Sequence, residues 1–230
     1  MNNIGGAQKV LKQLQNEFGG ITGTFDSMCD LHPEYNIDKH IKLTFQNILS
    51  IRNSVILSHH RKITSLFVLI NFFFNRKNRI IHIAHNEFSS FKLLTFLPRE
   101  IVAVSHAVKL NLINYFNIPS KKITVIHNGI EDIKYQKKSK KTDKKIRIIY
   151  PSRINKVKRQ VEVAKLILKL DLQRIDLHFA GKGPMERDLK KICNQAKNIK
   201  YLGMINKIEN IFPSYDLLLL FSTKEGLPLT

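Results

Sequence analysis

The stretch from Ile146 to Pro184, IRIIYPSRINKVKRQVEVAKLILKLDLQRIDLHFAGKGP, decides the fold. It opens on a β-branched and aromatic run (Ile146 to Tyr150) and passes through a polar, basic turn. Apolar residues at helical spacing follow (Lys156 to Leu170), and a second β-branched run closes the unit (Ile175 to Ala180). A hydrophobic period that switches from about 2 to about 3.6 and back marks strand, helix, strand, and a helical crossover makes the two strands parallel. Gly181-Lys182-Gly183 then supplies a tight turn, with Pro184 at the favoured first position of a further helix, Pro184 to Lys197. A short strand (Ile199 to Leu202), a short helix near Ile208 to Pro213 and a strand from Asp216 to Ser222 follow. Its DLLLLF run has the composition of a buried strand.

The same alternation holds upstream. A helix is expected at Ala7 to Phe18, with strands near Ile41 to Phe45, Ser54 to Ser58, Arg79 to Ala84, Ile101 to Val104 and Ile123 to Ile126. Helices are expected at Lys62 to Phe74 and at Ser105 to Phe116, the second opened by a serine able to cap its first turn. Between the two α/β stretches lies Lys134 to Arg147 (KYQKKSKKTDKKIR), without an apolar residue between Tyr135 and Ile146, which is the pattern of a solvated connector. The expected organisation is therefore a first domain over 1–133, a basic linker over 134–145 and a second domain over 146–230. Both are α/β and Rossmann-like, facing across a cleft. Only four residues precede Gly5-Gly6, so the first strand of domain one is expected to be missing. Asp216 to Phe221 runs out at Thr230 without a crossover helix, so the C-terminal domain is expected to be incomplete.

With 43% hydrophobic residues, 24% charged residues and 14 Phe, the chain can bury a core, which excludes disordered and low-complexity classes. The longest apolar stretch, Ser65 to Phe74 (SLFVLINFFF), is about half of what a bilayer-spanning helix needs. Met1 is followed by no basic-then-apolar signal. Cys29 and Cys193 stand far apart with no CxxC spacing, so neither a disulfide framework nor a zinc site is written here, and reducing cytosol is the expected compartment. The charge is the strongest compositional signal: 38 Lys+Arg against 18 Asp+Glu gives +20. An anionic partner is expected, and nucleic acid, an anionic membrane surface or a phosphorylated substrate would each fit. No recognised nucleic-acid module or aromatic stacking pattern accompanies the lysines.

Ile4-Gly5-Gly6-Ala7 precedes an amphipathic helix, where small residues admit a ligand to the backbone and free N–H groups favour an anion; a plain turn is the alternative. His59-His60 ends one strand, and His82 and His85 lie on the next with Asn86 following. Residues at the carboxyl ends of parallel strands line the ligand crevice of α/β proteins, which draws attention to His85, while His82, His106 and His178 suit structural roles. No His-x3-His pair falls on a helix, so no metal is expected. In Tyr150 to Gln160 (YPSRINKVKRQ), Arg153 offers a forked donor and Lys158 a mobile charge after the first strand of the second domain. Together they suit a diphosphate, although in so basic a chain their grouping can be chance.

In their order, these residues resemble glycosyltransferase family 4, the retaining GT-B glycosyltransferases. Gly5-Gly6-Ala7 is similar to the family's acceptor-side glycine loop, and Ile83-Ala84-His85-Asn86 to the strand with its active-site histidine. Ile101 to Val108 (IVAVSHAV) and Val125 to Glu131 (VIHNGIE) resemble the segments that follow, with Glu131 for the commoner Asp. Arg153 and Lys158 match an Arg-x4-Lys pair, Phe179 to Pro184 (FAGKGP) a G-x-G-P turn, and Tyr201-Leu202-Gly203 a further motif. Ser222 to Leu229 (STKEGLPL) resembles the start of a Glu-x7-Glu motif, with Glu225 first and the second glutamate beyond Thr230.

The resemblance implies a GT-B fold and transfer of a sugar from a nucleotide-diphosphate sugar to a hydroxyl acceptor with retention, in cell-surface polysaccharide or glycolipid synthesis. It also implies a catalytic set of His85, Arg153, Lys158 and Glu225. Arg153, Lys158, Gly181, Gly183, Glu225, Gly226, Leu227 and Leu229 would bind the donor, and Gly5 and Gly6 would form the acceptor-side loop. No metal and no cofactor is implied beyond the donor substrate. The implied acceptor is a lipid-linked sugar at the inner face of the cell membrane, with the enzyme cytoplasmic and peripheral and with no nucleic-acid partner. A non-catalytic remnant of such an enzyme, a nucleotide-sugar epimerase of GT-B fold and a basic nucleic-acid-binding protein stand as alternatives.

Overall fold

The computed structural model describes residues 6–25, 40–130 and 145–230. Contacts divide the chain into two units, Met1–Gly129 with Gly226–Leu229, and Ile130–Glu225 with Thr230. Gly5, Cys29 and the basic run as far as Lys144 lie outside the described residues.

In the first unit α1 (Gly6–Phe18) leads into β1 (Thr22–Thr24), which pairs in parallel with β2 (His40–Lys42). The expected strand Ile41 to Phe45 stops at Lys42. Thr44 takes the cap position instead, its side chain accepting from Asn47 N at 3.2 Å, and Phe45 opens the short helix α2 (Phe45–Ser50). A capping side chain thus overrides the β preference of Phe45. Then come β3 (Val55–Ser58), α3 (Arg61–Phe73), β4 (Arg79–Ala84), β5 (Glu100–Ala103), α4 (His106–Phe116) and β6 (Ile123–Val125). Ser105 caps α4 as its side chain accepts from Val108 N, and Asn117 ends it in the left-handed conformation at φ 59°. The four strands run in the order β3-β4-β5-β6, all parallel. Ile83, Ile101, Val108, Leu112 and Ile123 form one core cluster, and Ile48, Phe67, Ile70 and Ile80 form another.

The second unit contains β7 (Ile146–Pro151), α5 (Gln160–Lys169), β8 (Ile175–Ala180), α6 (Glu186–Cys193), β9 (Ile199–Gly203), a 3-10 turn over Ile208–Ser214 and β10 (Leu217–Leu218). Its parallel sheet has the order β10-β7-β8-β9. Tyr150, Ile154, Leu177, Phe179 and Leu189, all solvent-free, fill its core between sheet and helices. Three expectations need correction here. The helix expected from Lys156 begins only at Gln160, because Arg159 is held at φ 54° and the residues before it are turns closed by Asn155. The helix expected over Pro184 to Lys197 shrinks to α6, so Pro184 stands in the preceding turn rather than at the first helical position. The strand expected over Asp216 to Ser222 is only two residues long, and its leucines are not buried: Leu217 is 55% exposed and Leu218 40%. Position explains this, because β10 is the outermost strand and only Leu219 and Leu220 reach back to the core.

Candidate active site

Two clusters of chemistry-bearing residues follow from these sheets, one in each unit. In the second unit the strand order reverses at β7, with β8 on one side of it and β10 on the other. The carboxyl end of a strand at such a switch is where open α/β sheets leave a crevice for ligands. Two loops leave that end. The first, Ser152 to Arg159, carries Arg153, exposed, and Lys158, half-buried. The second, which follows β10, carries Glu225, whose Oε1 forms an ion pair with Lys158 Nζ.

Backbone hydrogen bonds hold these loops together. Tyr150 Oη donates to the carbonyl of Lys158 and accepts from Phe221 N at 2.7 Å, so one buried tyrosine links both loops to the core. Thr223 N donates to Val157 O at 2.9 Å, and the Arg159 guanidinium lies 4.9 Å from the Phe221 ring centre. Gln160 donates to Ser152 Oγ and to the Arg153 carbonyl, at 2.6 and 3.0 Å. Burial pushes the Tyr150 phenol above its ordinary pKa, so it stays protonated and able to donate.

The glycine turn after β8 is shaped by the first loop. A Cβ on Gly181, whose φ is +133°, would lie 2.1 Å from the Ser152 carbonyl oxygen, and one on Gly183 would lie 2.1 Å from that of Ile154. Ile154 N donates to Lys182 O, and Met185 N to Ile154 O, at 3.0 and 3.2 Å. These glycines permit the Gly-Lys-Gly turn to lie against the Arg153 loop, an approach that any side chain would block.

The first unit gathers histidines at the ends of β3 and β4. His85 Nε2 lies 2.8 Å from His59 Nδ1, their rings nearly parallel at 17°. One proton bridges the pair, since two N–H groups cannot face each other. Burial, and then the neighbouring charges of His85 and His82, lower the His59 pKa to about 3, and burial lowers that of His85 as well. Both imidazoles are therefore neutral at physiological pH. His82 is structural: Nδ1 lies 3.1 Å from the Ser58 carbonyl and 2.8 Å from Thr64 Oγ1, and burial lowers its pKa to about 4. His178 likewise meets Tyr215 Oη at 2.8 Å.

Gly226 to Leu229 also belongs to the first unit. A Cβ on Gly226 would stand 1.7 Å from the His85 carbonyl oxygen, so this glycine is required by the approach of one backbone to another. Leu227 packs beside the Ile83 cluster, its carbonyl accepting from Asn128 Nδ2 at 3.2 Å, and Leu229 is half-buried. Gly6 is the first residue of α1.

Of the residues singled out in the sequence, Lys158 and Glu225 are brought into contact, Gly181 and Gly183 abut the Arg153 loop, and Gly226 abuts His85. Sequence reasoning passed over His59, Tyr150 and Gln160 as site residues. Only the first left a signal, its adjacency to a strand end. Among the described residues, no group of three or more His, Cys, Asp or Glu side chains is gathered so as to hold a metal ion.

Residues 131–230 match the family model described as Glycosyl transferases group 1. Over 139 residues the chain is 28% identical to the Escherichia coli O-antigen biosynthesis glycosyltransferase WbnH, and equally to the probable O-antigen biosynthesis glycosyltransferase WbiN of the same organism. Each match covers 60% of this chain but 39% of the relative's length. Among solved structures, the lipopolysaccharide outer core galactosyltransferase WaaB superposes with a TM-score of 0.74 at 14% identity, covering 100% of this chain and 74% of that one. Anabaena Alr3699/HepE in complex with UDP and glucose gives 0.75 at 15%, covering 98% and 73%. The chain thus has the α/β fold of GT-B glycosyltransferases.

Proposed function

We propose that this chain acts as a retaining, metal-independent glycosyltransferase of family 4, with residues 1–133 on the acceptor side, 134–145 as linker and 146–230 on the donor side. The observation that carries the reading is the Lys158–Glu225 pair beyond the carboxyl end of β7, at the switch point of a Rossmann-like sheet, with Arg153 on the same loop. Support comes from the glycosyltransferase match of residues 131–230 and from UDP and UDP-glucose in the HepE structures.

In this reading the donor diphosphate is held by Arg153 and Lys158, with the turn of Gly181 and Gly183 against it. The bond from the anomeric carbon to the diphosphate oxygen breaks, and the two cations stabilise the charge that develops on the leaving group. The acceptor oxygen attacks from the same face, and its proton passes to the departing phosphate, so configuration is retained. Glu225 orients the sugar hydroxyls, with Gly226, Leu227 and Leu229 completing its loop, and neutral His85 hydrogen-bonds the sugar near the reacting carbon. Gly5 and Gly6 belong to the acceptor loop. The acceptor is a lipid-linked sugar of an O-antigen or related polysaccharide, met at the cytoplasmic leaflet by a peripherally bound enzyme. The resemblance to the O-antigen glycosyltransferases and WaaB supports this part.

The test is calorimetric titration with UDP and UDP-glucose, followed by transfer or donor-hydrolysis assays. Saturable binding that Arg153→Ala with Lys158→Ala removes, together with a fall in turnover of about 10³-fold, is expected. Unchanged turnover in the double variant would overturn the mechanism.

A further inference from the structure

The histidine pair beyond β3 and β4 has a direction. The two strands run parallel with Ser58 opposite His82, so the residues that follow each of them emerge side by side. His59 Nδ1 and His85 Nε2 meet there at 2.8 Å. Both partners are held from behind. The Ser58 carbonyl, one peptide before His59, accepts from Nδ1 of the fully buried His82 at 3.1 Å, and Thr64 Oγ1 donates to Ser58 Oγ at 2.7 Å. A Cβ on Gly226 would stand 1.7 Å from the His85 carbonyl oxygen, so the His85 backbone is wedged against a second segment. Among the described residues, the His85 ring meets no hydrogen-bonding group other than His59. The residue is half-buried, and its Nδ1 is left for a ligand.

One proton lies between the two rings, and either ring can supply it. If His85 Nε2 donated, neutral His59 would carry its own proton on Nε2. That atom is buried without a hydrogen-bond partner among the described residues. A buried N–H facing no acceptor is the rarer defect in folded proteins, whereas a bare ring nitrogen can take the weakly polar C–H groups that line an interior. His82, on the neighbouring strand, shows the same solution. Its Nδ1 faces a carbonyl, which only accepts, so the proton is on Nδ1, and its Nε2 stays bare, buried and likewise unpartnered. His59 therefore donates from Nδ1. With Nε2 engaged as the acceptor, neutral His85 keeps its own proton on Nδ1.

We infer that His59 is a positioning residue, holding His85 in the Nδ1–H tautomer so that His85 meets its substrate as a hydrogen-bond donor. That the substrate is a sugar rests on the glycosyltransferase reading above. An Nδ1–H holds a sugar oxygen but cannot take a proton from a hydroxyl, so His85 does not serve as general base and the acceptor's proton is left to the departing phosphate. The test is a long-range proton–nitrogen correlation spectrum of the imidazoles in the whole isotope-labelled chain at neutral pH, with His85 assigned by its loss in His85→Gln. Expected is the Nδ1–H pattern for His85. His59→Leu should convert it to the Nε2–H pattern or a mixture, and His59→Asn, whose amide N–H takes the place of Nδ1–H, should restore it. In transfer assays His59→Leu should lower kcat about tenfold while UDP affinity, assigned to Arg153 and Lys158, stays unchanged, and His59→Asn should recover most of the loss. An Nε2–H pattern for His85 in the unaltered chain, a tautomer that His59→Leu leaves in place, or a kcat loss that His59→Asn fails to recover would each overturn the inference. The spectra need no substrate, so an Nδ1–H result in a chain that neither binds UDP nor transfers sugar would leave His59 its role toward His85 and overturn the enzymatic reading alone.

Discussion

The two four-stranded sheets are built alike, yet they differ in order. In the first unit β3-β4-β5-β6 follow the chain without reversal, whereas in the second the chain turns back at β7, giving β10-β7-β8-β9. Chemistry differs in parallel with topology. The reversal leaves a charged pair, Lys158 with Glu225, beyond its strands, while the uniform sheet ends in neutral imidazoles, His59 with His85. A reversal sends successive connections to opposite faces and leaves room at the strand ends for loops with mobile charges. Without one, the strand ends are closed over by neighbouring segments, and burial keeps the histidines uncharged.

The two units should differ most in how their cores respond to truncation. Leu177 has no exposed surface at the centre of the second unit's cluster, so Leu177→Ala should cost about 3 kcal/mol. Hydrogen exchange should show the loss in β7, β8 and β9 while β4 and β5 keep their protection. Equal loss in both units would mean that the two clusters unfold as one.

Acid should separate the units next. His59 and His82 have pKa values lowered to about 3 and about 4 from an ordinary value near 6.5. Below pH 6.5 the unfolded chain therefore binds protons that the folded chain refuses. Their contribution is complete above about pH 6.5 and declines as pH falls toward 4, by about 2 kcal/mol at pH 5 for either group alone. Denaturant midpoints at pH 7 and pH 5 measure this, and His59→Gln should flatten the slope. A slope unchanged by that substitution would show that the His59 ring is not held neutral in the fold.

The smallest effect expected is that of Tyr150→Phe. It removes the hydroxyl that links Lys158 O to Phe221 N and should lower the stability of the second unit by about 1 kcal/mol. UDP affinity should fall with it, because the loops carrying Lys158 and Glu225 lose their common anchor. An unaltered affinity would confine Tyr150 to the core.

Periodicity was sufficient for most elements because the clues were local. Ile175 to Ala180 and Arg79 to Ala84 occupy the strands expected, and Ser105 caps its helix as its side-chain chemistry suggests. Boundaries failed where a distant or turn-forming group prevailed: Thr44 turned Phe45 into a helix, Arg159 delayed α5, and an outermost position left Leu217 and Leu218 in solvent. The candidate site was legible in part for a similar reason. Arg153 and Lys158 are near neighbours in the chain, and the Gly-Lys-Gly turn is read from its own three residues. The tie of Tyr150 to Phe221 spans 71 residues and that of His59 to His85 spans 26, and no local pattern encodes either.

By itself the sequence determined the α/β class, the two parallel-sheet regions, the strong positive charge and the residue types available for holding a diphosphate. Those depend on side-chain period and composition, which are properties of neighbours along the chain. Tertiary structure alone decided that Lys158 meets Glu225, that His59 meets His85 and burial keeps both neutral, that Gly181 and Gly226 must lack side chains, and that a face rich in Phe and Leu stays in solvent. Each depends on distances and burial that arise only when remote strands pack into register, where desolvation and close approach set the energies.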